Sequence, residues 1–281
     1  MTNARLDALA LAADLPGVLL DAKKLAAAAP GVHGRRRAGQ GEAFWQYRDH
    51  SAEDGARAVD WRRSARGERL YVKEREREAA QTSWFWIDGD PGMDWASSGQ
   101  LPTKKYRALV LSFALSLLIT RGGERVGALG QVTRAGPRAL ERLALDLRDH
   151  RFDAPPAPST RSVVIYASDF YAPIELWRDR LAAAASVGAS GALLMVADPA
   201  EEDFPFQGRT LFREPGGRHR EALIGRAEAA KEIYAARLAQ HRRDLRLMAG
   251  KFGFPALLHR TDHSPAPALA MLTATIAERY A

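Results

Sequence analysis

The chain has 281 residues, 46% of them hydrophobic and 27% charged, the balance of an ordinary soluble globular protein with one large domain or a domain and an appendage. The absence of cysteine excludes disulfides and thiolate zinc sites and is the usage expected in a reducing cytoplasm. A net charge of +7, from 41 basic and 34 acidic residues, raises nucleic acid or an anionic surface as partners, yet acids accompany the bases nearly everywhere and only the segment from residue 209 onward has a clear basic excess.

Residues 4–29 are predicted as two short helices broken at Leu15-Pro16-Gly17, because proline starts a helix well and cannot continue one. Asp7, Asp14 and Asp21 interrupt the apolar pattern, so the segment does not read as a secretory signal. After a connection at 31–37, residues 42–77 lack any single period and predict loops and short strands, such as 69–73, pinned by ion pairs.

Regular alternation follows. Residues 83–88 read as a strand and 103–121 as a strongly apolar helix whose uncharged run, 108–120, is too short to cross a bilayer. Residues 125–130 read as a strand and 137–147 as a helix opened by Pro137. Strands at 161–168 and 191–198 flank a helix at 173–187, and 209–214 reads as the last strand. Long helices are expected near 223–249 and 266–280. Continuous apolar strands alternating with helices predict an α/β fold with a mainly parallel sheet covered on both faces, over residues 81–281. Residues 1–80 are expected as an N-terminal helical segment and an irregular Arg/Trp-rich block packed on that domain.

Asp88, Asp90 and Asp94 follow the first buried strand, Asp169 follows the third and Asp198 ends the fourth. In a parallel sheet these ends share one edge, where loops converge on a crevice. Hard carboxylate oxygens there suit Mg²⁺ or Mn²⁺. The competing expectation is that an Asp at a strand end caps the next helix, which fits Asp169 and Asp198 well. Glu201-Glu202-Asp203 reads as a solvated acidic turn.

Several motifs carry a family resemblance. G-x-G-E-x-F-x-x-Y-R at 39–48, D-G-x-R-x-x-D-W-R-x-S-A-R at 54–66 and V-x-E-x-E at 72–76 are followed by R-G-G-E-R-V at 121–126 and Ser-Asp-Phe at 168–170. Together they resemble the bacterial family called domain of unknown function 58, over roughly residues 30–250. The resemblance implies a von Willebrand factor A-like fold, no established enzymatic activity, and a cytoplasmic interaction module, often encoded beside MoxR-type AAA+ ATPases, which become candidate partners. It also implies a place for a metal-ion-dependent adhesion site, D-x-S-x-S after the first strand. Asp88 matches, Asp90 replaces the first serine, Gly92 replaces the second, and Asp169 matches the later acidic position, with Thr133 a candidate for the remaining ligand. The expected site is therefore a degenerate one holding Mg or Mn on Asp88, Asp90 and Asp169. Arg48, Asp60, Trp61, Arg62, Arg63 and Arg66 are expected as a partner-binding or structural ion-pair network, with Trp61 its apolar anchor.

Two other classes compete. Asp88-Gly-Asp90 also resembles the D-x-D loop of haloacid dehalogenase-type phosphatases, with Ser168 as a phosphate-binding hydroxyl. Arg226, Lys231, Arg237, Arg242, Arg243 and Arg246 near the C-terminal helix raise nucleic-acid binding, although helical spacing does not put them on one face. His259 and His263 have i,i+4 spacing, but Asp262 and Pro265 favour a turn. There is no P-loop, dinucleotide glycine fingerprint or nucleophile elbow.

Overall fold

The computed structural model describes residues 21–24, 26–27, 44–51, 59–65, 67, 69–75, 81–136, 138–149, 154–215 and 221–280. They fall into two compact units, residues 35–80 and the remainder of the chain. The break predicted at Leu15-Pro16-Gly17 lies outside the described residues.

In the smaller unit, β1 (Phe44–Asp49) and β2 (Tyr71–Arg75) form an antiparallel pair, with Arg48 opposite Val72 and an irregularity between Phe44 and Gln46. Between them lies α1 (Trp61–Ser64), one turn long. Asp60 caps it, its Oδ1 accepting the amides of Arg62 and Arg63 at 3.1 Å each. Ser64 is buried beneath the turn: its hydroxyl donates to the Asp60 carbonyl at 2.8 Å and accepts the Tyr71 amide at 2.9 Å, tying the helix to β2.

The larger unit is built on five parallel strands: β3 (Thr82–Ile87), β4 (Arg125–Ala128), β5 (Val163–Ser168), β6 (Ser190–Ala197) and β9 (Ala256–Arg260), in the spatial order β4-β3-β5-β6-β9. Successive side chains of a strand point to opposite faces, and here both faces are covered. Phe85, Ile87, Val163, Ile165, Leu194 and Val196 join the core under α2 (Lys104–Arg121), α3 (Ala139–Asp149) and α7 (Pro265–Tyr280). The alternate residues Trp84, Trp86, Val164, Tyr166, Leu193 and Met195 join the core under α4 (Ile174–Ser186) and α6 (Lys231–Lys251). That is why these strands are continuous apolar runs rather than alternating ones. The second core is aromatic, with Trp86 5.7 Å and Tyr166 5.8 Å from Trp177, ring centroid to ring centroid. A side chain at Gly191 would begin 1.8 Å from the Val164 carbonyl oxygen, so β5 and β6 close only around glycine at that point.

The ends of the predicted elements shift by a residue or two, as helix and strand boundaries do. Three differences are larger. The strand predicted at 209–214 does not join the main sheet. It is β7 (Thr210–Arg213), paired antiparallel with β8 (Glu221–Ile224) in a separate hairpin. The fifth sheet strand is β9, which the sequence reading passed over. Its five residues follow α6 after only four intervening residues, and the hydrophobic Pro255-Ala-Leu-Leu run is too short to stand out from the helical pattern around it. The helix expected from 223 begins only at Lys231, after β8 and a 3₁₀ turn at Ala227–Ala230.

Candidate functional site: the carboxyl edge of the sheet

The connection from β3 crosses to β4 on one side, whereas the next strand in sequence, β5, lies on the other, so the sheet switches direction between β3 and β5. Side chains leaving those two strands meet in the crevice outside their carboxyl ends, the usual ligand position of open α/β sheets. Asp88 follows β3, and Ser168 and Asp169 finish β5. The Asp88 amide still donates to Ala167 in the ladder at 2.9 Å, which fixes the start of the loop.

The Ser168 hydroxyl donates to Asp88 Oδ2 at 2.6 Å, and Asp88 Oδ1 accepts the Asp90 amide at 3.0 Å. Burial raises the Asp88 carboxyl above the ordinary range; the Ser168 and Asp90 hydrogen bonds oppose the rise, and the charges of Asp169 and Asp90 reinforce it. Asp90 caps a 3₁₀ turn, Pro91–Asp94, its Oδ1 accepting the Gly92 amide at 2.7 Å. A side chain at Gly92 would begin 3.0 Å from Asp90 Oδ1 and 3.6 Å from Asp169 Oδ2. The three acidic residues singled out in the sequence therefore come together. Phe170, next in the chain, holds a left-handed backbone at φ 57°, unusual for a bulky residue. Its amide donates to Ser168 Oγ at 3.0 Å, its carbonyl accepts His241 Nε2–H at 2.7 Å, and its ring is buried 4.5 Å from Trp177.

Sequence reasoning missed the cation of this edge. Lys104, the first residue of α2, is 1% exposed. Its ammonium lies 2.8 Å from Asp169 Oδ2 and 2.5 Å from Glu201 Oε1, with the Tyr171 ring centroid 5.3 Å away. Burial alone would lower its pKa, but Asp169 and then Glu201 hold it above the ordinary lysine value. Glu201 is itself raised, first by burial, which Lys104 and the Asp198 amide only partly offset, with the charge of Asp169 a smaller contribution in the same direction. A signal for Lys104 was present. A lysine in the first turn of a helix faces the positive end of the helix dipole, so its placement there calls for an acidic partner from elsewhere.

In the acidic run after β6, Asp203 is exposed as a solvated turn would have it, but Glu201 and Glu202 are not. The run lies in α5 (Pro199–Asp203), capped by Asp198, which is fully buried and accepts the amides of Ala200 at 2.8 Å and Ser97 at 2.9 Å. Glu201 returns the cap by accepting the Asp198 amide at 3.0 Å. Glu202 forms a two-pronged pair with Arg242 of α6, which is also buried, and Asp203 a two-pronged pair with Arg260, at 2.9 Å for both contacts.

Fitting Mg²⁺ or Mn²⁺ to Asp88, Asp90 and Asp169 meets an obstacle: a divalent cation on Asp169 would lie against the Lys104 ammonium, and the Asp88 oxygens already accept protein donors. Among the described residues no group of three or more His, Asp or Glu is disposed to hold a metal ion. These donors as they stand do not fit the degenerate metal site. Thr133 lies elsewhere: its Oγ1 accepts Arg125 Nε at 3.1 Å beside the start of β4, and the adjacent Arg134 bridges Val126 on that strand's outer edge. His259 is in strand β9, not a helix, so its spacing to His263 does not pair them; burial lowers it to about 4, with Arg107 adding to the shift.

In the smaller unit, Asp60 works as a helix cap, and Trp61 is 60% exposed. Trp61 is the first residue of this one-turn helix, directly after its cap. Arg62 and Arg63 are exposed, and the Arg63 guanidinium lies 5.4 Å from the Tyr71 ring centroid. Arg66 lies outside the described residues, and of Arg48 only the backbone pairing is described.

The competing readings gain no support. The Ser168 hydroxyl proton is engaged by Asp88 rather than facing a phosphate site. Of the basic residues near the C-terminal helix, Arg242 is internal, and Arg226 precedes the helix and lies 3.4 Å from Glu228. No helix among the described residues is long and apolar enough to cross a membrane.

No curated protein is significantly similar to the chain. Among solved structures, the conserved hypothetical protein BatB from Bacteroides thetaiotaomicron is similar at 14% identity and a TM-score of 0.34, covering 72% of this chain and 99% of its own. The family model described as protein of unknown function DUF58 matches residues 46–244, and the chain belongs to that family.

Proposed function

We propose that this chain is a non-enzymatic protein-interaction module of von Willebrand A-like build, working in the cytoplasm and docking a protein partner over the carboxyl edge of its sheet. The partner class is a MoxR-type AAA+ ATPase. The observation that carries the reading is the convergence of Asp88, Asp90, Ser168, Asp169 and Lys104 at the switch point. The charges there are held by each other and by backbone amides. The buried Lys104 and Ser168 fix the carboxylates from beneath, and the exposed Asp90 and Asp94 give the edge an ordered polar rim suited to recognition. Trp61 and Arg62 are a second exposed surface for the same partner.

The test is a binding titration between the purified chain and a MoxR-type ATPase from the same genome. Asp90→Asn with Asp94→Asn removes two exposed charges while an Asn oxygen keeps the cap on the Gly92 amide. The double variant is expected to weaken binding about tenfold or more, and Trp61→Ala to weaken it less. Loss only with Trp61→Ala would move docking to the smaller unit. Absence of binding by the wild-type chain would sink the partner assignment.

A further inference from the structure

We infer that the ammonium of Lys104 is the resident cation of the carboxyl edge, bridging Asp169 and Glu201 and taking the Asp169 oxygen that a divalent metal ion there would need. The inference deepens the docking reading, on which its relevance to a partner rests: the edge is assembled, and docks, without metal.

Three connections converge on this one nitrogen. Lys104 opens the helix after β3, Asp169 is the residue after β5, and Glu201 belongs to the short helix after β6. Nothing about the local sequence favours the arrangement. A lysine at a helix start opposes the dipole, and burial of an ammonium to 1% exposure carries a large desolvation cost. The placement is favourable only because two carboxylates from separate loops, 13% and 16% exposed, would otherwise repel each other beneath the surface. This is the work of a bridging cation. An ammonium performs it with one charge and three donors, two of them given to Asp169 and Glu201. The remaining direction is not open to water on all sides, since the Tyr171 ring stands 5.3 Å away.

The neighbouring carboxylates conform. Asp169 Oδ1 accepts the Tyr171 amide at 3.2 Å, leaving Oδ2 for the ammonium. Asp88 turns to the Ser168 hydroxyl and the Asp90 amide, and Asp90 to the Gly92 amide. Gly92 leaves room for Asp169 and Asp90 to approach; a serine there would begin 3.0 Å from Asp90 Oδ1. A divalent ion needs about six oxygens around it, whereas here the oxygens are oriented by N–H and O–H donors. Removing the ammonium while keeping both carboxylates would reverse this preference, leaving a buried acidic pair in need of a cation.

The experiment measures Mn²⁺ binding by electron paramagnetic resonance and melting temperature on the full chain, as wild type, Lys104→Ala, and Lys104→Ala with Asp169→Asn. Wild type is expected to bind no Mn²⁺ with submillimolar affinity and to melt at the same temperature with Mn²⁺ or with chelator. Lys104→Ala is expected to melt lower, to bind one Mn²⁺, and to regain roughly 4 °C or more when it does. The double variant should lose that rescue. One tightly bound Mn²⁺ in wild type, weakened by Asp88→Asn, would overturn the inference, as would a folded Lys104→Ala indifferent to Mn²⁺. If Lys104→Ala fails to fold, the wild-type titration alone decides. Partner binding abolished by chelator would overturn this inference while leaving the docking reading standing; partner binding lost in the Asp90/Asp94 titration bears only on docking.

Discussion

Two one-turn helices in this protein start in the same way and come to opposite ends. Asp60 caps Trp61–Ser64 and Asp198 caps Pro199–Asp203, each carboxylate accepting backbone amides at the helix start. Both are followed by charged residues. In the first, Arg62 and Arg63 are exposed beside an exposed tryptophan. In the second, Glu201 and Glu202 are mostly buried and each meets a buried base, Lys104 or Arg242. The difference shows that charge density in a sequence says little about its energetic weight. An exposed charge is solvated whether or not it has a partner and contributes at most about 1 kcal/mol through pairing. A buried one must be matched, and removing its partner strands it.

The largest expected effect therefore lies at the second helix. Glu202→Ala leaves the Arg242 guanidinium buried without its carboxylate and should cost about 3–5 kcal/mol in urea unfolding. A loss below about 1 kcal/mol would mean that the pair is solvated and the contrast between the helices unreal. Next comes a buried group that titrates. His259 has a lower pKa in the folded chain, about 4, than in the unfolded one, near 6.5. As pH falls below 6.5 the unfolded chain takes up the proton first, so the stability owed to neutral His259 is full above 6.5 and is lost as pH falls toward 4. Compared with wild type, His259→Gln should lose less stability across that window, by roughly 2–3 kcal/mol. Parallel pH profiles of the two proteins would contradict the burial of the imidazole. The smallest effect belongs to the exposed helix. Asp60→Ala removes the cap and should cost about 1 kcal/mol. A loss as large as that of Glu202→Ala would show Asp60 to be part of a buried network rather than a surface cap.

The candidate site was legible in part. Asp88, Asp90 and Asp169 could be named because a carboxylate after an apolar run marks a strand end, and parallel strands bring their ends together. That Lys104 meets Glu201 could not be read, since they lie 97 positions apart and belong to segments that read locally as a helix start and an acidic turn. Their meeting depends on the spatial order of the strands, which periodicity does not encode. Strand β9 was missed for a related reason. Its five residues are too few to establish a period of their own, and it becomes a strand by pairing with β6. Conversely, residues 210–213 have a strand's composition but pair with a hairpin neighbour instead of the sheet.

What the sequence determined by itself was the class of fold, the core strands β3, β5 and β6, the long apolar helix α2 and the family motifs, because these follow from local pattern and from the apolar area that pattern must bury. Only the tertiary structure decided which charges are internal and which of them meet, because burial is a property of what the rest of the chain places over a residue.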